Sequence, residues 1–101
     1  MDNQSIEQCK YLLLARCSRL EYNLDRAQED ASLSRYAEKY ADKLLNLTPR
    51  EAFSGSDFDK LELFLDHYCL ALYLENYDWA RRSIRGIETL SSESTECICL
   101  F

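Results

Sequence analysis

The chain has 101 residues, 47% of them hydrophobic, and 12 Lys and Arg against 18 Asp and Glu give a net charge of -6. A domain of this length buries roughly two-thirds of its unfolded surface, so the apolar content supplies a core without metal or disulfide staples. Two Gly and one Pro exclude an all-β fold, which needs a turn about every 8 to 12 residues. The expected fold class is all-α, a small irregular four-helix bundle: residues 1–90 as a single helical domain and 91–101 as a Ser-rich tail with an apolar end.

From Ile6, the residues Ile6, Cys9, Leu13, Cys17, Leu20, Leu24 and Ala27 recur at alternating spacings of three and four, which places them on one stripe of a helix. Helix one is therefore expected over about residues 4–28. A second stripe, Tyr11, Leu14, Ala15, Ser18 and Tyr22, suggests neighbours on two sides. The first apolar run, Tyr11 to Ala15, is shorter than the about 7 to 15 residues of a signal-peptide core. No run approaches the about 20 residues of a membrane span, and the expected location is the cytoplasm. Five cysteines cannot all pair within one chain, so free thiols in a reducing compartment are expected. Cys9, Cys17 and Cys69 lie on apolar stripes and are expected to pack as small hydrophobes.

The next apolar set, Leu33, Tyr36, Ala37, Tyr40, Leu44 and Leu47, is out of phase with the first, so the chain must turn between Gln28 and Ser34. Asp30 and Ser32 are the candidate caps of helix two, because their side-chain oxygens can accept first-turn N–H groups. Thr48-Pro49-Arg50-Glu51 has the capping-box arrangement with Pro at the first helical position. Ser54-Gly55-Ser56 follows at once, so a short capped helical turn is expected between helices two and three. Ser56 or Asp57 then caps helix three, over about residues 58–75, and Asn76 caps helix four, over about residues 77–90.

Glu75-Asn76-Tyr77-Asp78-Trp79-Ala80 is similar to the turn of a tetratricopeptide repeat, where an aromatic and a small residue three positions later close two antiparallel helices. The similarity covers about 30 residues and sets Phe64, Ile84 and Ile87 at other apolar places of that pattern. Tyr68 and Ala71 exchange its small and large positions, and no second copy occurs. The resemblance implies a helical hairpin.

Charge is distributed unevenly. Residues 1–50 and 79–101 are each neutral, whereas in residues 51–78 Glu51, Asp57, Asp59, Glu62, Asp66, Glu75 and Asp78 face only Lys60. A field of one sign steers oppositely charged partners and repels nucleic acid and anionic membranes. Helix three carries a core-spaced stripe, Phe58, Leu61, Leu65, Tyr68, Cys69 and Leu72, and a second apolar row, Leu63, His67, Leu70 and Leu74, with Asp59, Glu62 and Asp66 between them. A helix apolar on two faces is the centre of a bundle or part of an interface. The bundle centre is the favoured expectation.

Catalytic and metal chemistry find little support. The single histidine sits in an apolar row, no phosphate-binding glycine loop occurs, and no Ser, Cys or Lys has a base at helical spacing. His67-x-Cys69 and Cys97-x-Cys99 suggest zinc by spacing alone, yet residues two apart on a helix project about 200° apart and do not converge on one ion. No cofactor is expected. Arg81, Arg82 and Arg85 are expected on the solvent side of helix four, paired with Glu88 and neighbouring acids or with the acidic wedge of a second copy in a homodimer.

The expected function is therefore non-catalytic: a small acidic regulator or inhibitor occupying a basic groove on a larger protein, of the sort that holds nucleic acid, with no direct contact to nucleic acid or membrane. Phage-encoded inhibitors, among them anti-CRISPR proteins and nucleic-acid mimics, are small and acidic in the same way, a similarity of type and not of motif. The expected partner-binding residues are Asp57, Asp59, Glu62, Asp66, Glu75 and Asp78. The alternative is a cytosolic adaptor or chaperone that holds a partner helix through Leu63, His67, Leu70 and Leu74. A carboxylate metal enzyme is a distant third.

Overall fold

The computed structural model describes the backbone of residues 3–53 and 55–99 and the side chains of residues 6–53 and 55–92. Four helices follow one another: α1 (Asn3–Glu29), α2 (Ser34–Leu47), α3 (Asp57–Tyr73) and α4 (Tyr77–Cys99). A 3₁₀ turn, Ala31–Leu33, leads into α2, and a second, Arg50–Ala52, lies between α2 and α3. Among the described residues there is no strand. The expected all-α bundle, with its short helical turn between the second and third helices, is the fold.

The helices close a ring. α3 packs most extensively on α4, α4 on α1, and α2 bridges α3 and α1. The 27 residues of α1, at about 1.5 Å each, account for the 42 Å long axis of the molecule. Leu13, Cys17, Leu20, Leu24 and Ala27 of α1 are buried, as their spacing predicts, and meet Leu61, Leu65, Tyr68 and Leu72 of α3 and Ala80, Ile84 and Ile87 of α4 in one core. Across the ring the buried Tyr68 hydroxyl donates to the Leu20 carbonyl at 2.8 Å. A phenol at the centre of a core is tolerable only with such an acceptor, and burial pushes its pKa upward.

Several local expectations need correction. The second stripe of α1 is largely open to solvent, since Tyr11, Ala15, Ser18 and Tyr22 are exposed and Leu14 is half-buried; α2 and α4 flank the first stripe. α2 buries Ala37, Ala41 and Leu44, an alanine edge that lets the helix approach closely and leaves Tyr36 and Leu47 exposed. Asp30 caps the 3₁₀ turn, with its carboxylate accepting from the Ser32 N–H at 3.1 Å and hydroxyl at 2.8 Å, whereas α2 itself has no side-chain cap. Those bonds hold the Asp30 carboxyl below its ordinary pKa. The capping box at Thr48 does not form. Its hydroxyl donates back to the Leu44 carbonyl at 2.8 Å, and neither the turn Arg50–Ala52 nor α3 receives a side-chain cap bond.

α4 runs past its expected end at Leu90 to Cys99. The Ser91 and Ser92 hydroxyls donate to the Ile87 and Glu88 carbonyls one turn back, and serines bonded in this way can remain inside a helix. The expected docking of Cys97 to Phe101 lies outside the described side chains.

The hairpin between α3 and α4 is closed by backbone bonds and one side chain. The Asn76 N–H donates to the Ala71 carbonyl at 2.8 Å and the Glu75 N–H to the Leu72 carbonyl at 3.1 Å, the paired bonds of a Schellman motif. Glu75 occupies the left-handed position with φ 56°. Asn76 caps α4 as expected, its side-chain oxygen accepting from the Trp79 N–H at 3.2 Å.

Candidate functional site

α3 turns two unlike faces in opposite directions. Phe58, Leu61, Leu65, Tyr68 and Leu72 enter the core. At about 100° per residue, Asp59, Glu62, Leu63, Asp66, Leu70, Tyr73 and Leu74 all fall within about 60° of a single outward direction, and every one of them is exposed. Leu63, Leu70 and Leu74 remain 50%, 47% and 57% accessible. The expectation that α3 is the apolar centre of the bundle is therefore corrected: a ring of four helices leaves each one an outer face, and here that face carries carboxylates and leucines together.

The sequence-derived acidic set divides. Asp59, Glu62 and Asp66 stand about one turn apart on the outward face, and Glu62 and Asp66 form no ion pair among the described residues. Asp59 meets Arg50 at 3.6 Å, so Lys60 is not the only base near the acidic wedge; Arg50 comes from the 3₁₀ turn and lies over the Phe58 ring, 4.6 Å from its centroid. Lys60 pairs instead with Asp57 at 3.9 Å. Both pairs are largely solvated and contribute little to stability. Glu75 stands at the hairpin turn, and Asp78 shares an open depression with Asn76, Arg81, Arg82 and Arg85. Asp57, Glu75 and Asp78 thus lie apart from the three central carboxylates.

The second apolar row divides as well. Leu63, Leu70 and Leu74 are exposed, but His67 is half-buried against α4, its ring tilted on Trp79 with centroids 5.2 Å apart. Tyr73, absent from the sequence-derived set, is 79% accessible on the outward face; its spacing of seven from Asp66 was the available signal. Arg50 carried no such signal, because only the path of the chain brings it to Asp59.

The other singled-out groups serve the scaffold. Arg81 reaches back to α1, donating to Asp25 at 3.0 Å and Gln28 at 2.6 Å, not to Glu88. Cys17 is buried and Cys9 and Cys69 half-buried. Burial pushes the Cys17 thiol up to about 12, aided by Glu88 and Glu21, and the Cys69 thiol up to about 12, aided by Asp42, Glu38 and Asp66. Neither is a thiolate nucleophile near neutral pH. Cys97 and Cys99 have side chains outside the described residues. Among the described residues no three His, Cys, Asp or Glu side chains are grouped to hold a metal ion, and no helix is long and apolar enough to cross a membrane. No protein-family model, curated protein or solved structure matches the chain.

Proposed function

We propose that the chain is a small non-catalytic binding protein that takes a basic protein surface on the outward face of α3, in the manner of an acidic regulator or inhibitor. One observation carries this reading: Asp59, Glu62 and Asp66 are exposed on the same face as Leu63 and Leu70. A partner with Lys or Arg flanking apolar side chains matches both features. The carboxylates draw it in through the field that residues 51–78 concentrate, and the leucines lose water on contact. A basic groove that otherwise holds nucleic acid fits this description, because carboxylates one turn apart offer oxyanions to the same guanidinium and ammonium groups.

The accessible leucines favour a second reading, an adaptor that holds a partner helix chiefly through apolar contact. Two variants of the tagged full chain separate the readings when used to capture partners from cells that make the protein. Asp59→Asn with Glu62→Gln and Asp66→Asn changes the net charge from -6 to -3 with little change in volume. Leu63→Ser with Leu70→Ser removes apolar surface and leaves the charge. The acidic reading expects the first variant to lose the partner that wild type captures; loss by the second alone favours the adaptor, and retention by both removes the face from consideration.

A further inference from the structure

Away from α3, a cavity of about 310 Å³ opens between α1 and the start of α2, lined by Arg19, Tyr22, Asn23, Arg26, Leu33 and Tyr36. Its α1 residues follow from helical spacing, since Arg19, Tyr22, Asn23 and Arg26 lie one turn apart. Asn23 interrupts the apolar series Leu20, Asn23, Ala27 and is only 5% exposed. Its Nδ2 is buried without a hydrogen-bond partner. Folded proteins seldom leave a buried donor in that condition, and a specific case calls for a physical reason.

The walls define what could supply the missing acceptor. Tyr22 and Tyr36 keep 52% and 67% of their surface accessible, offering ring faces beside the half-buried Leu33. Arg26 is already engaged, donating to the Tyr22 hydroxyl at 3.0 Å with its guanidinium 5.6 Å from that ring's centroid, and Glu29 and Asp30 partly offset its charge. Arg19 forms no ion pair among the described residues and is the cation left for a ligand. Two guanidiniums thus border one cavity. The volume suits one ring with a substituent, being at the small end of ligand pockets.

We propose that this cavity binds a small planar molecule bearing one oxyanion, an aromatic carboxylate or an aromatic phosphate ester. The ring lies against Tyr22 or Tyr36, Arg19 takes the oxyanion, and Asn23, whose Nδ2 is closed off from solvent, turns its amide to a ligand acceptor. The site uses no residue of the outward face of α3, so it stands or fails separately from the protein-binding reading.

The test is a titration of the full-length, isotope-labelled protein followed by NMR at the Asn23 side-chain amide. Benzoate and phenyl phosphate are the ring-bearing probes and distinguish carboxylate from phosphate; acetate, inorganic phosphate and benzyl alcohol each lack one feature. Saturable shifts are expected with benzoate or phenyl phosphate, and at least tenfold weaker effects with the other three. Asn23→Leu should abolish the response at the neighbouring Tyr22 and Tyr36 signals without lowering the thermal midpoint, because it removes the unpaired donor. Arg19→Gln, an exposed change that leaves the core alone, should weaken binding at least tenfold and keeps the test readable if Asn23→Leu does not fold. Absence of any saturable shift overturns the proposal. So does inorganic phosphate binding as well as phenyl phosphate, or binding that Arg19→Gln leaves unchanged.

Discussion

The inward and outward faces of α3 carry nearly the same number of large apolar side chains, and they meet opposite fates. Leu61, Leu65, Tyr68 and Leu72 are sealed by α1, α2 and α4, whereas Leu63, Leu70, Tyr73 and Leu74 stay in water. The difference lies in company. Leu61, Leu65, Tyr68 and Leu72 follow one another at helical spacing without a charged residue in the series, while the outward set is interleaved with Asp59, Glu62 and Asp66, whose desolvation would outweigh the gain from burying the leucines. An apolar row that its own helix equips with exposed carboxylates, Asp59 among them paired with the solvated Arg50, is stable in water and, on the reading proposed above, open to a partner that brings cations.

The sharpest break of the comparison is truncation on each side. Leu65→Ala should cost about 2 to 5 kcal/mol, and Leu70→Ala should stay within about 0.5 kcal/mol, measured by chemical denaturation. Equal losses would mean that the two faces have been misassigned.

A second substitution examines the seam where α3 meets α4. The Phe64 ring lies 2.6 Å from where a Gly86 methyl would stand, so glycine permits the close approach. Gly86→Ala gains about 1 kcal/mol of helix propensity against about 1 to 3 kcal/mol of overpacking. We expect a net loss of stability that Phe64→Leu in the same chain largely relieves, measured as a double-mutant cycle.

At the deepest point of the inward face, Tyr68→Phe removes the bond to the Leu20 carbonyl and should cost about 0.5 to 1.5 kcal/mol, with secondary structure by circular dichroism unchanged. The smallest effect has the opposite sign. Glu75 holds a left-handed conformation that costs a non-glycine residue about 1 to 2 kcal/mol, so Glu75→Gly should raise the thermal midpoint, offset in part by the freedom glycine regains when unfolded. A lowered midpoint would show that the Glu75 side chain supports the hairpin.

The inward stripe was legible because burial repeats at the helical period, and Leu61, Leu65, Tyr68 and Leu72 keep that period without a break. Caps were less legible. Thr48-Pro49-Arg50-Glu51 satisfies a capping box by residue type, but the Thr48 hydroxyl chose the Leu44 carbonyl one turn back, a local choice among nearby groups that residue type does not decide. Likewise the serines after Leu90 read as a break, although hydroxyls that bond back to their own helix continue it. Of the candidate site, the triad Asp59, Glu62 and Asp66 followed from spacing, as did the apolar row. That they share one exposed face depends on how many helices surround α3, and the Arg50 contact depends on the path of the connecting turn. Asn23 stands at a core spacing of α1, but the cavity it lines depends on Leu33 and Tyr36, which only the path of the chain brings opposite it.

The central claim is that the outward face of α3 binds through its carboxylates. Its most direct measurement is the dissociation constant of the captured partner as a function of salt, for wild type and for the variant with Asp59→Asn, Glu62→Gln and Asp66→Asn. Exposed charges are screened over about 8 to 10 Å at physiological ionic strength, so wild-type affinity should fall steeply as salt rises. The variant should bind more weakly at low salt and respond much less to added salt. Equal affinities and equal salt slopes for the two proteins would contradict the account.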